Sequence, residues 1–213
     1  MQKFAAVILL ILAFLPGPSR AALVAGQDYE VLPVPQPVET GKKIEVREFF
    51  WYGCPHCYVL EPSLERWVKK LPATAKFVRT PGVAPHWLTH AQAYYAFEEL
   101  GVTKKIHNVF FKAVQEQKLQ LNDASAIGDF VATHGVNKQK FIDAFNSFAV
   151  RTNLEKAKQT NIVFNISSVP AVVVDGKYLT SPGMVVGEER FFKVVDELIA
   201  KAAQERKQKA KKS

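Results

Sequence analysis

The 213-residue sequence has two cysteines, and both stand in the segment Cys54-Pro55-His56-Cys57. The thiolate is the reactive form of cysteine, so the chemistry of the pair depends on what stabilises negative charge on sulfur. A strand-like run precedes the segment and a helical pattern follows it. Cys54 is therefore predicted at a helix N-terminus, where unpaired N–H groups and the helix dipole favour an anion. Pro55 suits the first helical turn, and His56 can further stabilise negative charge on Cys54. The segment predicts a redox-active dithiol.

The two sulfurs are separated by one helical turn and can close a small disulfide, Cys54–Cys57. We expect Cys54 to lie at the exposed end and to be both the sulfur that a substrate thiolate attacks and the nucleophilic sulfur of the dithiol. We expect Cys57 to be more buried and to resolve the mixed disulfide. A purely structural bridge is disfavoured because so short a loop removes little unfolded-state entropy. A metal site is disfavoured because a fourth ligand is not evident. The pair His86 and His90 is likewise predicted to have surface or capping roles, so we expect no metal.

The patterns of apolar residues predict an α/β order of elements around the dithiol. Asn122-Asp123 and Asn137 are predicted helix N-caps, and Gly101 and Gly135 are predicted helix ends. In chain order, the predicted elements are an extended or edge segment at 22–43, a buried strand at 44–52, a helix from Cys54 closed by Pro72, a strand at 76–80, several short helices within 83–160, a hairpin at 171–180 and a last helix starting at Glu188 and Glu189.

Both ends of the chain differ from its globular middle. Lys3, an unbroken apolar run at 4–15 and the small residues around Arg20 predict a signal peptide at 1–21, cleaved after Ala21 or, as a second choice, Ala22. The run is shorter than a membrane span. Most of the formal charge of +8 falls in a basic tail at 201–213, predicted to be a solvated helix end that frays. A nucleic-acid binder usually has a basic face across its fold, so we expect no nucleic-acid partner.

Longer motifs give a resemblance to a known family. The segments EFFWYGCPHCY at 48–58 and VPAVVVDGKY at 169–178, with a helical block between them, resemble the DsbA family of bacterial periplasmic thiol–disulfide oxidoreductases, within the thioredoxin superfamily. The resemblance implies a thioredoxin fold with an inserted all-helical domain. The implied organisation is a thioredoxin-like first part at 22–82, an inserted helical domain at 83–160 and a thioredoxin-like second part at 161–200.

The resemblance also implies roles for residues outside the dithiol. Val169-Pro170 resembles a loop that holds a cis-proline opposite the active site and pairs with substrate peptide as an added strand; the alternative is an ordinary trans proline at the start of a strand. Glu48 matches a buried acid beneath the disulfide that exchanges protons through water, the alternative being a surface glutamate. Glu61 and Lys76 are weaker candidates for the same charged cluster.

The implied function is an oxidase that donates its disulfide to unfolded exported proteins with cysteine pairs, in the periplasm. The resemblance further implies a monomer without a cofactor, reoxidised by a membrane protein of the DsbB type that passes electrons to quinone. Two alternatives stay open: a periplasmic disulfide reductase or isomerase, and a non-enzymatic thiol-based metal carrier. Residues 22–43 are too short for the separate dimerisation domain of the isomerases, which favours the oxidase.

Overall fold

The computed structural model describes residues 23–212, so the predicted signal peptide lies outside the described residues. Its elements are β1 (Glu30–Val31), β2 (Ile44–Phe50), α1 (Pro55–Val68), β3 (Ala75–Pro81), a 3-10 turn (Pro85–Trp87), α2 (Leu88–Glu99), α3 (Thr103–Gln115), α4 (Ala124–Thr133), α5 (Lys138–Phe145), α6 (Phe148–Val163), β4 (Ala171–Val174), β5 (Tyr178–Thr180) and α7 (Glu188–Ala210). The predicted α/β order is confirmed.

The five strands form one sheet in the order β1-β5-β4-β2-β3. Strand β2 pairs in parallel with β3 and antiparallel with β4, and all seven of its residues are buried. It is therefore an interior strand of the sheet, paired on both sides and covered on both faces. Helix α1 follows β2, so the carboxyl end of this interior strand leads directly into Cys54.

The predicted hairpin and the predicted caps are present. Asp175 and Gly176 both have positive φ, 55° and 66°, between β4 and β5, as the tightest hairpin turns require. Asp123 accepts a hydrogen bond from Ala126 N, and Asn137 accepts one from Lys140 N. These local signals are strong because capping and turn geometry depend on a few neighbouring residues.

Helices α2 to α6 lie between β3 and β4 in the chain and pack around a core that also includes Phe50, Tyr52 and both cysteines. The side chains that build it are aromatic and aliphatic and include Phe97, Ile106, Phe110, Ile127 and Phe141. A second core joins the sheet to α1 and α7 through residues such as Val46, Leu64 and Phe191. Helix α6 runs to Val163, past the predicted boundary at 160, and the domain limits stay a prediction.

The prediction of a fraying tail from 201 was wrong for its first half. Helix α7 continues to Ala210. Ala202 is buried in the core, Glu205 accepts from the Tyr178 hydroxyl, and Arg206 pairs with Asp175 and donates to the carbonyl oxygens of Gly41 and Lys42. Although α7 has 23 residues, no helix within 23–212 is long and apolar enough to cross a bilayer.

Candidate active site

Cys54 is the N-cap of α1. Its backbone is extended, and its nitrogen donates to Trp51 O at 2.9 Å across the turn that leaves β2. Its sulfur accepts from the backbone nitrogen of Cys57 at 3.4 Å. The side chain thus occupies the position where an N-cap satisfies the free N–H groups of a helix, as the motif predicts.

Cys54 is less accessible than expected, whereas Cys57 is buried as predicted. Cys54 is 7% exposed and Cys57 is 1% exposed. The order of burial agrees with the prediction, but the placement of Cys54 at an exposed end was wrong, because Val169 covers it from across the site. The structure holds the two cysteines as free thiols. It therefore describes the dithiol form, and the Cys54–Cys57 disulfide stays a prediction for the oxidised protein.

The surroundings separate the two thiols by acidity. The pKa of Cys54 is lowered to about 6, first by the hydrogen bond from the Cys57 thiol, then by the N–H groups of Cys57 and His56 and by the charge of His56, with burial acting in opposition. The pKa of Cys57 is raised far above its usual value, mainly by burial and also by Cys54 and Glu48. The dithiol form therefore carries its negative charge on Cys54.

A loop from the far end of the chain forms the other wall. The Val169–Pro170 peptide bond is cis, as the resemblance implies, and Pro170 directly precedes β4. Cys54 Sγ lies 3.4 Å from the carbonyl oxygen of Val169, to which it donates when it is protonated. This places the backbone of residue 169 beside the sulfur that the motif predicts to react.

Glu48 lies beneath the dithiol in a buried charge cluster. It is 1% exposed, so the alternative of a surface glutamate was wrong. Arg79 on β3 donates from Nε to Glu48 Oε2 at 2.8 Å and pairs with Glu61 on α1. Burial raises the pKa of Glu48 and of Glu61 to about 7, against the opposing effect of Arg79. Strand alternation puts Glu48 on the same face as Phe50, which is the face that α1 covers.

The cationic member of the cluster is Arg79, and the suggestion of Lys76 was wrong. Lys76 is exposed, because on β3 it faces away from the cluster, whereas Arg79 lies opposite Glu48 in the parallel register. Sequence reasoning could have reached Arg79 only by pairing the two strands in register. The local pattern around each residue carries no such information.

Two further polar residues of the cluster were missed. His107 on α3 is 3% exposed and Tyr52 is 1% exposed, and the Tyr52 hydroxyl lies 2.8 Å from His107 Nδ1. His107 Nε2 faces Glu61 Oε1 at 3.4 Å. The one sequence signal was a histidine directly after the buried Ile106 in an otherwise apolar helical stripe.

Aromatic rings flank the approach to Cys54. Trp51 stacks on Trp87 at a centroid distance of 5.0 Å, and His86 packs edge-on against Trp51. A Cβ added at Gly53 would overlap the Trp51 ring, so glycine is the residue that lets the ring fold over the turn. His90 is buried and bonds to Leu121 O, which corrects its prediction as a surface or capping residue.

An open groove continues from the dithiol along α1 and the loop before β4. Its cavity measures about 450 Å³ and is lined by His56, Val59, Leu60, residues 168–170, residues 181–183, Gly187 and Glu188. The groove is mostly apolar and includes the exposed Val59. Among residues 23–212, no group of histidine, cysteine, aspartate and glutamate side chains could hold a metal ion.

A cysteine pair at the N-terminus of a helix, after an interior strand of a mixed sheet and opposite a cis-proline, defines a thiol:disulfide oxidoreductase of the thioredoxin fold. The comparisons with known proteins agree. The family model described as DSBA-like thioredoxin domain matches residues 83–199. The chain is 39% identical over 204 residues to the thiol:disulfide interchange protein DsbA of Pseudomonas aeruginosa, covering 94% of this chain and 97% of that protein.

A second relative and two solved structures extend the match. DsbA of Burkholderia cepacia is 41% identical over 212 residues, with 97% of this chain and 100% of the relative covered. The crystal structure of Pseudomonas aeruginosa DsbA superposes with a TM-score of 0.84 at 40% identity, covering 87% and 97% of the two chains. NmDsbA1 of Neisseria meningitidis gives 0.78 at 28% identity, covering 88% and 98%. The chain belongs to the DsbA family, and its predicted fold class and oxidoreductase activity are confirmed.

Proposed function

We propose that this protein is a dithiol oxidase that donates a Cys54–Cys57 disulfide to newly exported proteins in the periplasm. The observation that carries the proposal is the difference in acidity between the two thiols, with the pKa of Cys54 lowered to about 6. Whatever stabilises the Cys54 thiolate stabilises the dithiol form. Reduction of the disulfide form is then more favourable, so the disulfide is a stronger oxidant. DsbA is itself the standard example of this relation.

The reaction begins when a substrate thiolate attacks Cys54 Sγ of the disulfide. The Cys54–Cys57 bond breaks, a mixed disulfide forms on Cys54, and the electron pair leaves on Cys57. The second substrate thiolate then attacks the substrate sulfur of the mixed disulfide and releases Cys54 as a thiolate. Two electrons have passed from the substrate to the enzyme, and both enzyme sulfurs end reduced.

Glu48 is the proposed proton donor to Cys57. The pKa of the Cys57 thiol is raised far above neutrality, so the leaving sulfur needs a proton. Glu48 is buried with a pKa near 7, which suits a group that gives and regains a proton at neutral pH. Its charge acts on Cys57, and a water molecule would carry the proton between them.

The loop at Val169-Pro170 is the proposed docking site for substrate backbone. Val169 O lies 3.4 Å from Cys54 Sγ, so an extended peptide paired with residue 169 would hold its cysteine beside that sulfur. The groove along α1 would take the neighbouring side chains. Pro55 and His56 act on the Cys54 thiolate, the first by fitting the helix turn and the second by its charge.

The remaining parts of the proposal concern the protein's surroundings. Residues 1–21 would direct export and be removed, because a charged start, a short apolar run and small residues have the form of a signal peptide. A membrane protein of the DsbB type would reoxidise the dithiol and pass the electrons to quinone, and the protein would act as a monomer.

The deciding experiment is the redox potential of the pair, measured in glutathione buffers. An oxidase requires a potential well above that of glutathione. A reducing value would favour the reductase or isomerase, and metal that stays bound through purification would favour a metal carrier. As a matched control, Cys57→Ser should accumulate mixed disulfides through Cys54, whereas Cys54→Ser should form none.

A further inference from the structure

His107 brings the inserted helices into the charge cluster beneath the dithiol. It lies on α3, whereas Tyr52 follows β2 and Glu61 lies on α1. Its Nδ1 is 2.8 Å from the Tyr52 hydroxyl and its Nε2 is 3.4 Å from Glu61 Oε1. The proposed function uses Glu48 but assigns no role to this histidine, which is 3% exposed.

The partners define which ring nitrogen carries the proton. An ionised carboxylate can only accept hydrogen bonds, so Nε2 must carry hydrogen when it faces an ionised Glu61. Nδ1 is then the acceptor, and the Tyr52 hydroxyl donates to it. Burial and Arg79 lower the pKa of His107 to about 3, so the imidazole is neutral and has one proton to place.

One atom of His107 and one atom of Glu61 lack a hydrogen-bond partner within residues 23–212. Glu61 Oε2 and His107 Nε2 are buried and lack a well-oriented hydrogen bond to any residue that the structure describes. A buried donor and a buried acceptor left unpaired each cost about 1–3 kcal/mol. A small rotation of the Glu61 carboxyl, or one bridging water, would satisfy both at once, so the two groups are placed to bind each other.

The other charged and titratable groups around His107 come from several elements. Four of them act on His107 by their charges: Glu48 on β2, Arg79 on β3, Glu65 on α1 and Glu98 on α2. The Tyr94 ring, also on α2, lies 6.4 Å from the imidazole. Glu61 in turn acts by its charge on Glu48. A change at His107 therefore reaches the proposed proton donor through Glu61, in addition to the direct effect of the His107 charge on Glu48.

We infer that His107 is a positioning residue through which the inserted helices control the proton on Glu61, and through Glu61 the proton that Glu48 supplies to Cys57. Tyr52 holds the ring at Nδ1, and the ring presents Nε2–H to Glu61. This inference rests on the proposed function, because it concerns the same proton transfer.

The test uses two amide side chains that each reproduce one ring nitrogen. The amide of glutamine reaches the position of Nε2, and that of asparagine reaches the position of Nδ1. His107→Gln should keep an N–H group facing Glu61, whereas His107→Asn should keep only the hydrogen bond to Tyr52. In His107→Asn the ionised Glu61 loses a donor, and its pKa should rise by at least about one unit. The measurement is the pH titration of the Glu61 carboxyl carbon by NMR, assigned with Glu61→Gln.

The rate of disulfide donation should follow the same order. In His107→Asn, Glu61 is protonated over a wider pH range, so Glu48 loses a negative neighbour and its pKa falls. The limb of the pH–rate profile that reports protonated Glu48 (the rate limb) should therefore move to lower pH. In His107→Gln the rate limb should stay in place. His90 provides the matched control, since it is buried on α2 and bonds only to Leu121 O among the described hydrogen bonds. His90→Asn should move neither the titration nor the rate limb.

The opposite results are equally clear. Equal titrations in both His107 variants, shifted or unshifted, would overturn the inference. If neither variant folds, nitrogen NMR of the unmodified protein decides: a neutral Nε2–H ring from about pH 5 to 8 supports the inference, and an imidazolium or an Nδ1–H ring overturns it. A wild-type protein that fails to oxidise a reduced peptide would instead refute the proposed function, whatever the His107 variants do.

Discussion

Cys54 Sγ lies 3.4 Å from the carbonyl oxygen of Val169, although 115 residues separate the two in sequence. The contact joins the first turn of α1 to the loop before β4. Because both elements continue β-strands that are neighbours in the sheet, the sheet itself holds the reactive sulfur beside the backbone that would receive a substrate. The contact also covers Cys54, which explains why the nucleophile is buried in the dithiol form.

The first prediction concerns the Cys54 thiolate. Its pKa is lowered to about 6, with the Cys57 thiol as the first cause, so Cys57→Ala should raise it. Because the pKa of Cys54 is lowered, the dithiol form is fully stabilised at pH values above the ordinary thiol pKa. This stabilisation is lost as the pH falls through about 6. The redox potential should therefore fall by about 60 mV per pH unit below that point and about 30 mV above it. Thiolate absorbance and potentials measured across pH check both, and a single slope throughout would contradict the prediction.

The second prediction concerns His56. Its charge is the last of the causes that lower the pKa of Cys54, so His56→Leu should raise that pKa by no more than about one unit. The dithiol form then loses stabilisation at neutral pH, and the potential should drop by about 20 mV. His134→Leu, on the inserted helices, is the control. An unchanged titration in His56→Leu would mean that the helix N-terminus and Cys57 suffice.

The third prediction concerns Arg79. Because burial raises the pKa of Glu48 and Glu61 to about 7, the folded state binds their protons more tightly than the unfolded chain. Their ionisation therefore costs stability as pH rises through about 7. Arg79→Met removes the compensating cation and should destabilise the protein by about 3–5 kcal/mol near pH 8 and clearly less near pH 5, measured by urea unfolding.

A matched ion pair provides the control for Arg79. Arg190 pairs with Asp28, whose pKa is lowered from its ordinary value, so this carboxylate stays ionised at both pH values. Arg190→Met should cost no more than about 1 kcal/mol, with the same value at each pH. Equal losses at the two pH values for Arg79→Met would show that the cluster carboxyls do not titrate in this range.

The fourth prediction concerns Gly53. A Cβ at this position would overlap the ring carbons of Trp51, so Gly53→Ala must push the ring out of its stack on Trp87. The expected cost is about 1–3 kcal/mol, with altered tryptophan fluorescence. Gly183→Ala is the control, since its nearest neighbour is Ser181 Oγ at 3.7 Å. Unchanged fluorescence in Gly53→Ala would refute the stacking.

The fifth prediction concerns the last turns of α7. Arg206 pairs with Asp175, which is 4% exposed, so Arg206→Met leaves this buried carboxylate with Lys177, at 3.5 Å, as its remaining cation among residues 23–212. We expect a loss of about 1–3 kcal/mol in unfolding free energy. Lys209→Met, at an exposed position of the same helix, should be neutral. A neutral result for Arg206→Met would mean that its ion pair with Asp175 does not contribute to stability.

Several features were predictable because their causes are local. The helix N-terminus at Cys54 follows from a strand-like run, a proline and a helical stripe, and the caps at Asp123 and Asn137 follow from single side chains three residues from their partners. The hairpin at Asp175-Gly176 follows from turn chemistry. In each case the interacting groups are neighbours in the chain, so residue type and spacing are sufficient.

The sequence by itself therefore determined the dithiol, its helix and the order of the elements, while the tertiary structure decided what surrounds the sulfurs. Glu48 and Arg79 are 31 residues apart and meet only through the register of β2 and β3. His107 reaches Tyr52 across 55 residues because α3 packs over the end of β2. Burial and charge pairing set the proton affinities here, and both depend on distances through space, which a pattern read along one chain does not contain.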